Sequence, residues 1–326
     1  MLSEFDLIKR YFTRAPDADP RVGLGIGDDC ALLRPTAGSE LAISTDMLVE
    51  GRHFFAGADP ESLGHKCLAV NLSDLAAMGA APLAFTLALS LPDADPGWLD
   101  GFSRGLLALA DVSGCALVGG DTTRGPRTIC ITVFGEVSPA AALRRDAARP
   151  GDDVWISGTL GDARLALGAC LKEYDLDAAQ LALASQRLHR PTARLGLGLA
   201  LRGIAHAAID ISDGFTGDLG HVLTRSACGA SIDVDALPLG PSLHLQGREL
   251  QLACALAGGD DYELCFTAPA NRRDAVLAAG VASNTSVTRV GSIDAQPGLR
   301  LQDRAGNPLQ SALQSSLHSF DHFQSS

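Results

Sequence analysis

Six short segments constrain this chain more than any other feature of it. They are Gly25-Ile26-Gly27-Asp28-Asp29, Ser44-Thr45-Asp46, Asn71-Leu72-Ser73-Asp74, Gly119-Gly120-Asp121-Thr122-Thr123, Asp210-Ile211-Ser212-Asp213-Gly214 and Gly258-Gly259-Asp260-Asp261-Tyr262-Glu263. Four set glycine beside aspartate, and five adjoin strongly apolar stretches. One such segment alone is an ordinary Asp-Gly turn. Six in one chain ask for a fold that repeatedly ends a buried element in an acidic turn. Glycine there admits unusual backbone angles and the close approach of a ligand. Aspartate offers hard oxygen on a short arm.

The stretches between these segments read as a mixed α/β (α+β) chain. Residues 41–44, 83–91, 115–118, 128–137, 154–157, 207–211, 263–267 and 287–293 are predicted strands. Residues 60–78 are a predicted helix, with Leu63, Cys67, Val70, Leu75 and Met78 near helical spacing. Helices are also predicted over 98–113 and, more loosely, 160–173, 176–188, 192–203 and 218–228. The 326 residues suffice for about two domains. The turn at Arg149-Pro150-Gly151-Asp152-Asp153 divides them into 1–149 and 150–326.

Composition removes several classes of function. Acids outnumber bases 38 to 26, for a formal net charge of −12. A basic nucleic-acid footprint is absent, and an anionic membrane surface is disfavoured. Residues 75–92 carry no charge, but Gly79, Pro82 and several alanines make a helix end, a turn and a buried strand the better reading than a membrane span. The first six residues lack both a basic and a long apolar stretch, so no signal peptide is expected. The eight cysteines include no C-x-x-C pair and sit mostly in apolar company, as reduced core residues of a cytoplasmic protein would.

If the acidic segments converge, their carboxylates repel one another, and divalent cations relieve that repulsion. Magnesium suits carboxylates, hydroxyls and water, and it commonly bridges to substrate phosphates. The pattern therefore points to phosphoryl transfer, where positioning and charge neutralisation do most of the catalysis. The usual nucleotide signatures are missing: the three lysines, Lys9, Lys66 and Lys172, form no Gly-Lys pair, so there is no P-loop. Basic groups near the motifs are arginines, Arg124, Arg144 and Arg145, each of which also reads as a solvated surface charge. His53, seven residues after Asp46, reads as a structural histidine or as a substrate contact.

Taken in order, 25–32, 44–46, 71–79, 119–125, 210–214 and 262–266 resemble the thiamine-monophosphate kinases, in the superfamily of aminoimidazole ribonucleotide synthetase and selenophosphate synthetase. The resemblance implies a two-domain synthetase-like fold. It implies ATP-dependent phosphorylation of thiamine monophosphate to thiamine diphosphate, with several magnesium ions bridging ATP to aspartates. It also implies a homodimer pairing through β-strands of the N-terminal domains, with the active site completed by the C-terminal domain. By the same resemblance Asp29, Asp46, Asp74, Asp121 and Asp210 match metal-binding aspartates, and Ser44 and Thr45 match oxygen ligands beside Asp46. Asp213 matches a further magnesium contact and Ser212 a nucleotide contact. Gly120, Asp121 and Arg145 match the ATP-phosphate region, His53 matches a substrate-binding histidine, and Asp28 is a further acid behind the ligands.

Two positions depart from the family pattern. Asp260 stands where the family often has glutamate against the substrate, and Phe320 where an aromatic, often Tyr or Trp, contacts thiamine. The acceptor is an ionised phosphate, so direct in-line transfer needs no strong base. That agrees with the lack of a Ser-His-Asp or Cys-His pair. A two-metal phosphatase and a non-catalytic nucleotide sensor are the alternatives from other classes.

Overall fold

The computed structural model describes residues 4–13 and 19–309. By its internal packing the chain divides into two units. One comprises 1–75 and 80–140, the other 76–79 and 141–326.

The first unit opens with a short helix, α1 (Glu4–Leu7), which runs into a π-helical turn, Ile8–Phe12, burying Tyr11 and Phe12. Two short strands, β1 (Val22–Leu24) and β2 (Leu32–Leu33), pair antiparallel and carry the Gly25–Asp29 loop between them. The main sheet consists of β3 (Glu40–Val49), β4 (Ala81–Leu91), β5 (Ala116–Arg124) and β6 (Thr128–Val137), in the order β3-β6-β4-β5. β4 and β5 are parallel, as a helical crossover between them requires. That crossover is α3 (Pro96–Ser113), which follows α2 (Pro60–Ala77) in the chain. Asp95 caps α3 by accepting the Gly97 N–H at 2.9 Å, and Pro96 sits where a helix tolerates it best.

Period-two alternation decides which face of this sheet is covered. Phe85, Leu87, Leu89, Ile129, Ile131 and Val133 are buried on the side of α2, which packs Leu75 against Gly135. The opposite face is partly covered near β4 and β5, where Leu83, Ala84, Ala116 and Val118 meet Val22, Ala31 and Leu33. Towards the β3 edge it is open, and Ile43 and Met47 are 58% and 56% exposed.

The second unit is built on a six-stranded sheet. Its strands are β7 (Asp152–Ser157), β8 (Ala207–Asp210), β9 (Gly229–Asp233), β10 (Leu264–Pro269), β11 (Val287–Asp294) and β12 (Gly298–Gln302). Their order is β12-β9-β11-β7-β10-β8, antiparallel except for the β12–β9 pair. α4 (Asp162–Cys170), α5 (Ala178–His189), α7 (Phe215–Arg225) and α8 (Arg248–Ala257) bury Leu165, Leu188, Leu219 and Leu256 in one core with Ile156, Ile209 and Ile232. α6 (Leu195–Ala200) and α9 (Arg273–Ala282) join a second core around Trp155 and Phe266, whose rings stack 6.3 Å apart. Glu263 is fully buried between these layers. Its carboxylate accepts from Ser157 Oγ at 2.6 Å, from Arg187 at 2.7 Å, and from Arg194 through two nitrogens.

Several sequence expectations need correction. β3 does not stop at Ser44 but continues to Val49, because Met47, Leu48 and Val49 extend its pairing with β6. Gly119–Thr123 is not a turn but the second half of β5, which resumes its pairing with β4 beyond a bulge at Phe85/Thr86. The predicted helix over 192–203 shrinks to the six residues of α6. α7 starts at Phe215, three residues before the expected 218, because Gly214 caps it. α8, α9, β9 and β12 fall in stretches whose small and polar residues gave no periodic signal.

Two stability predictions follow from this packing. A Cβ at Gly105 would stand 1.8 Å from the Glu61 carbonyl oxygen, so α2 and α3 approach more closely than alanine allows. Gly105→Ala is expected to lower stability by about 1–3 kcal/mol in urea unfolding of the first unit's spectroscopic signal. Glu263→Ala strands two arginines in the second unit and is expected to cost about 3–5 kcal/mol, read by the same titration. An unchanged midpoint for either variant would refute the corresponding contact.

Candidate functional site

In the first unit the structure brings Ser44, Asp46 and Asp74 to one side of the sheet. Ser44 and Asp46 share a face of β3 by alternation, and that face looks at α2. The Ser44 hydroxyl donates to Asp74 Oδ2 on α2. Three residues earlier on the same helix, Asn71 is fully buried, and its Oδ1 accepts the Asp46 backbone N–H at 3.1 Å. The other end of that amide donates to the Cys67 carbonyl at 3.0 Å. α2 and β3 are thus clamped at two points, one main-chain and one side-chain, beside the carboxylates of Asp46 and Asp74. Sequence reading quoted Asn71 within its motif but gave it no role. Its i to i+3 spacing from Asp74, which puts both on one helical face, was the available signal.

The same alternation separates other expected ligands. Thr45 points to the open face, where its hydroxyl bonds Thr132 Oγ1 across the strands at 2.8 Å. Asp46 pairs through Ile131 and Leu87 to Gly120, whereas Asp121 aligns with Ala88, Cys130 and Met47. Asp46 and Asp121 therefore stand one register position apart across the sheet. Gly120 has φ +146°, and a Cβ there would lie 1.8 Å from the Leu87 carbonyl oxygen, so only glycine lets β5 run this close to β4 beside Asp121. Asp29 is exposed in the β1–β2 loop, and its N–H donates to the Asp28 carboxylate at 2.8 Å. Asp28 thus supports Asp29 through the backbone.

His53 follows β3 and is half-buried. Its Nδ1 accepts the Val49 N–H at 3.0 Å. In the neutral ring that acceptor role puts the proton on Nε2. Nearby in the chain, Glu50 pairs with Arg127 at 2.5 Å, and the Arg127 guanidinium lies 5.0 Å over the Trp98 ring.

In the second unit Asp210 ends β8 and is buried, and the chain then turns through Ser212, Asp213 and Gly214 into α7. The turn is held from inside. Asp218, one turn into the helix, accepts the N–H groups of Ser212, Asp213 and Gly214 on one oxygen, each at 3.1 Å. Burial, with the neighbouring charge of Asp213, pushes the Asp218 carboxyl up to about 7. The Gly258–Tyr262 loop lies against the same turn: the Asp260 N–H donates to the Ser212 carbonyl at 2.9 Å and Tyr262 to Ile211 at 2.8 Å. Asp260 and Tyr262 both adopt left-handed backbone angles, φ +66° and +50°. Between them Asp261 turns inward and accepts the Gly161 N–H at 2.9 Å, its carboxyl held well above the usual range by burial. Arg145 is exposed, and its carbonyl accepts from Ser226 Oγ at 2.9 Å. Phe320 lies outside the described residues.

The donors fit magnesium chemically. They are the hard oxygens of carboxylates and hydroxyls. Among the described residues, no three His, Cys, Asp or Glu side chains are gathered as they would be around one ion. Magnesium asks for no such cage, since one or two carboxylates, waters and substrate phosphates complete its shell.

Two family models match the chain, "AIR synthase related protein, N-terminal domain" over residues 27–137 and "AIR synthase related protein, C-terminal domain" over 149–304. The thiamine-monophosphate kinase of Salmonella typhimurium is 49% identical over 278 residues, covering 84% of this chain and 85% of that protein. The crystal structure of thiamine-monophosphate kinase from Stenotrophomonas maltophilia aligns with a TM-score of 0.83 at 47% identity, covering 90% of this chain and 93% of that one. The structure of AaThiL complexed with AMPPCP and TMP aligns with a TM-score of 0.76 at 30% identity, covering 88% and 89%. The chain belongs to the thiamine-monophosphate kinase family of AIR synthase related proteins.

Proposed function

We propose that this chain transfers the γ-phosphoryl group of ATP directly to the phosphate of thiamine monophosphate, giving thiamine diphosphate and ADP. The observation that carries this reading is the intact series of acidic segments in a chain alignable over most of its length with a protein complexed with AMPPCP and TMP. Asp29, Ser44, Thr45, Asp46, Asp74, Asp121, Asp210 and Asp213 would hold magnesium. Bound there, magnesium offsets the repulsion between two anionic reactants.

The chain's own residues then do three things. Gly120, Asp121, Arg145 and Ser212 hold the nucleotide, with arginine suited to phosphate oxygens. His53 presents its Nε2–H as a donor to the thiamine phosphate, since Nδ1 is already engaged by Val49. Asp260 and Phe320 orient the thiamine. No residue needs to remove a proton from the acceptor, and the in-line approach is a matter of positioning.

A homodimer and a cytoplasmic location belong to the same reading, as does the division into an N-terminal ATP- and magnesium-binding, dimer-forming domain, 1–149, and a C-terminal domain, 150–326. The open face of the first unit's sheet supports the dimer, because Leu41, Ile43 and Met47 project from it into solvent. All eight cysteines are free thiols, which suits a reducing compartment. Among the described residues no helix is long and apolar enough to cross a membrane.

Incubation with ATP, magnesium and thiamine monophosphate is expected to give ADP and thiamine diphosphate in equal amounts, each dependent on both substrates. ATP loss indifferent to thiamine monophosphate would refute the reading. Asp46→Asn and Asp121→Asn are each expected to lower kcat by about 10²-fold or more with the thermal midpoint retained. Near-normal turnover in both would remove the metal assignment. Joint replacement Ile43→Asp and Met47→Asp is expected to shift the particle from dimer to monomer in size exclusion with light scattering. A wild-type monomer, or an unchanged dimer in the variant, would count against pairing through this face.

A further inference from the structure

We infer that Asp218 is a positioning residue of the site, setting the geometry of the metal- and nucleotide-facing turn Ser212–Gly214 without itself touching substrate or metal. The inference rests on the phosphotransfer reading for what that turn binds, but its structural core stands on hydrogen bonds alone.

Three successive backbone N–H groups aimed at one point make a concavity suited to an anion. At a helix N-terminus such a concavity is the usual seat of a phosphate. Here the seat is taken. Asp218 Oδ2 receives all three N–H groups at 3.1 Å, and the side chain is 4% exposed. A phosphate could enter only by displacing a carboxylate that the chain itself supplies. On the proposed reading the turn therefore serves the nucleotide through the side chains of Ser212 and Asp213, both half-buried, and not through its N–H groups.

The consequence reaches past the turn. Ser212 is held by its N–H to Asp218, and its carbonyl in turn accepts the Asp260 N–H. Ile211 accepts from Tyr262 through its carbonyl and donates from its N–H to the Glu263 carbonyl at 2.8 Å. One carboxylate thus fixes the segment between Asp210 and Asp213, and through it the loop that presents Asp260. Sequence reading placed Asp218 at the first position of its helix and gave it no role; with α7 starting at Phe215 it lies one turn in, over the preceding backbone.

Two variants of the full chain separate this role from its rivals. In Asp218→Asn the side-chain oxygen can still accept the three N–H groups; in Asp218→Ala nothing can. By hydrogen exchange and mass spectrometry, the amides of 212–214 are expected to stay protected in Asp218→Asn and to exchange at least about tenfold faster in Asp218→Ala. In the kinase assay, well below the thermal midpoint, Asp218→Ala is expected to raise the half-saturating magnesium concentration or the KM for ATP about 10- to 100-fold, while Asp218→Asn stays within about threefold of wild type. Unchanged exchange in Asp218→Ala would overturn the inference whatever the enzyme's activity. So would a lowered midpoint with unchanged magnesium and ATP dependence, since that is a purely structural role. Loss in Asp218→Asn equal to that in Asp218→Ala would overturn it too, because the charge itself would then be the working part. If Asp218→Ala does not fold, Asp218→Asn still tests the inference: lost protection at 212–214, or a rise in magnesium or ATP dependence beyond about threefold, overturns it. Failure of the wild type to phosphorylate thiamine monophosphate would refute the functional reading and leave the exchange test standing.

Discussion

The structure depends on fixing its carboxylate-bearing segments through their main chain. A carboxylate tied up in a salt bridge is a poor ligand, yet a loose one has no defined position. Here the main chain is fixed instead. Asn71 grips the N–H of Asp46 with a buried amide whose other end is anchored on its own helix. Asp218 grips the N–H groups of Ser212 to Gly214. Each grip comes from a helix and lands on the backbone of a neighbouring strand or turn, so the acidic side chain is positioned by a partner that does not compete for its oxygens. A fully hydrogen-bonded buried polar group of this kind adds specificity at small net cost, while an unpaired one would be expensive.

Elsewhere the chain uses its arginines to settle carboxylates outright. Glu263 takes Arg187 and Arg194 in a dry interior, and Asp153 takes Arg273 at 2.6 Å and Arg289 at 3.3 Å. Burial works to raise the Asp153 carboxyl, and the two guanidinium groups outweigh it, leaving it below its ordinary value. Glu263 stands one residue beyond Tyr262, so the ion cluster also anchors the loop that carries Asp260. Such clusters fix an arrangement more than they stabilise it, because removing two charges from water costs about what their attraction returns.

Much of this was legible in the sequence. The long strands β4 and β6 and the helix α2 announce themselves by apolar runs and spacing, and the six acidic segments announced the chemistry. What escaped has physical causes. Gly119 and Gly120 looked like a turn because glycine weakens a strand, yet here Gly120 lets β5 pass the Leu87 carbonyl at a distance no Cβ permits. Asp46 looked like a strand end because aspartate is poor in strands, yet β3 is an edge strand and its polar residues face a helix that can bond them. Asn71 and Asp218 escaped because their work is done on the backbone of residues distant in sequence or one turn behind. Spacing along one element cannot show it.

The turn after β8 bears on how ATP would be held on the proposed reading. The concavity of N–H groups at the start of α7 is filled by Asp218. Backbone cradling of the P-loop kind is therefore closed to this chain at that turn, and the scarcity of lysine closes the usual alternative. On that reading what remains is contact through arginine and through hard oxygens, and the carboxylates among these would meet a polyphosphate only with cations interposed. The acidic segments and the filled seat thus fit one arrangement: a turn that gives its N–H donors to the chain's own carboxylate leaves positive charge to be supplied, on the proposed reading, by cations from solution.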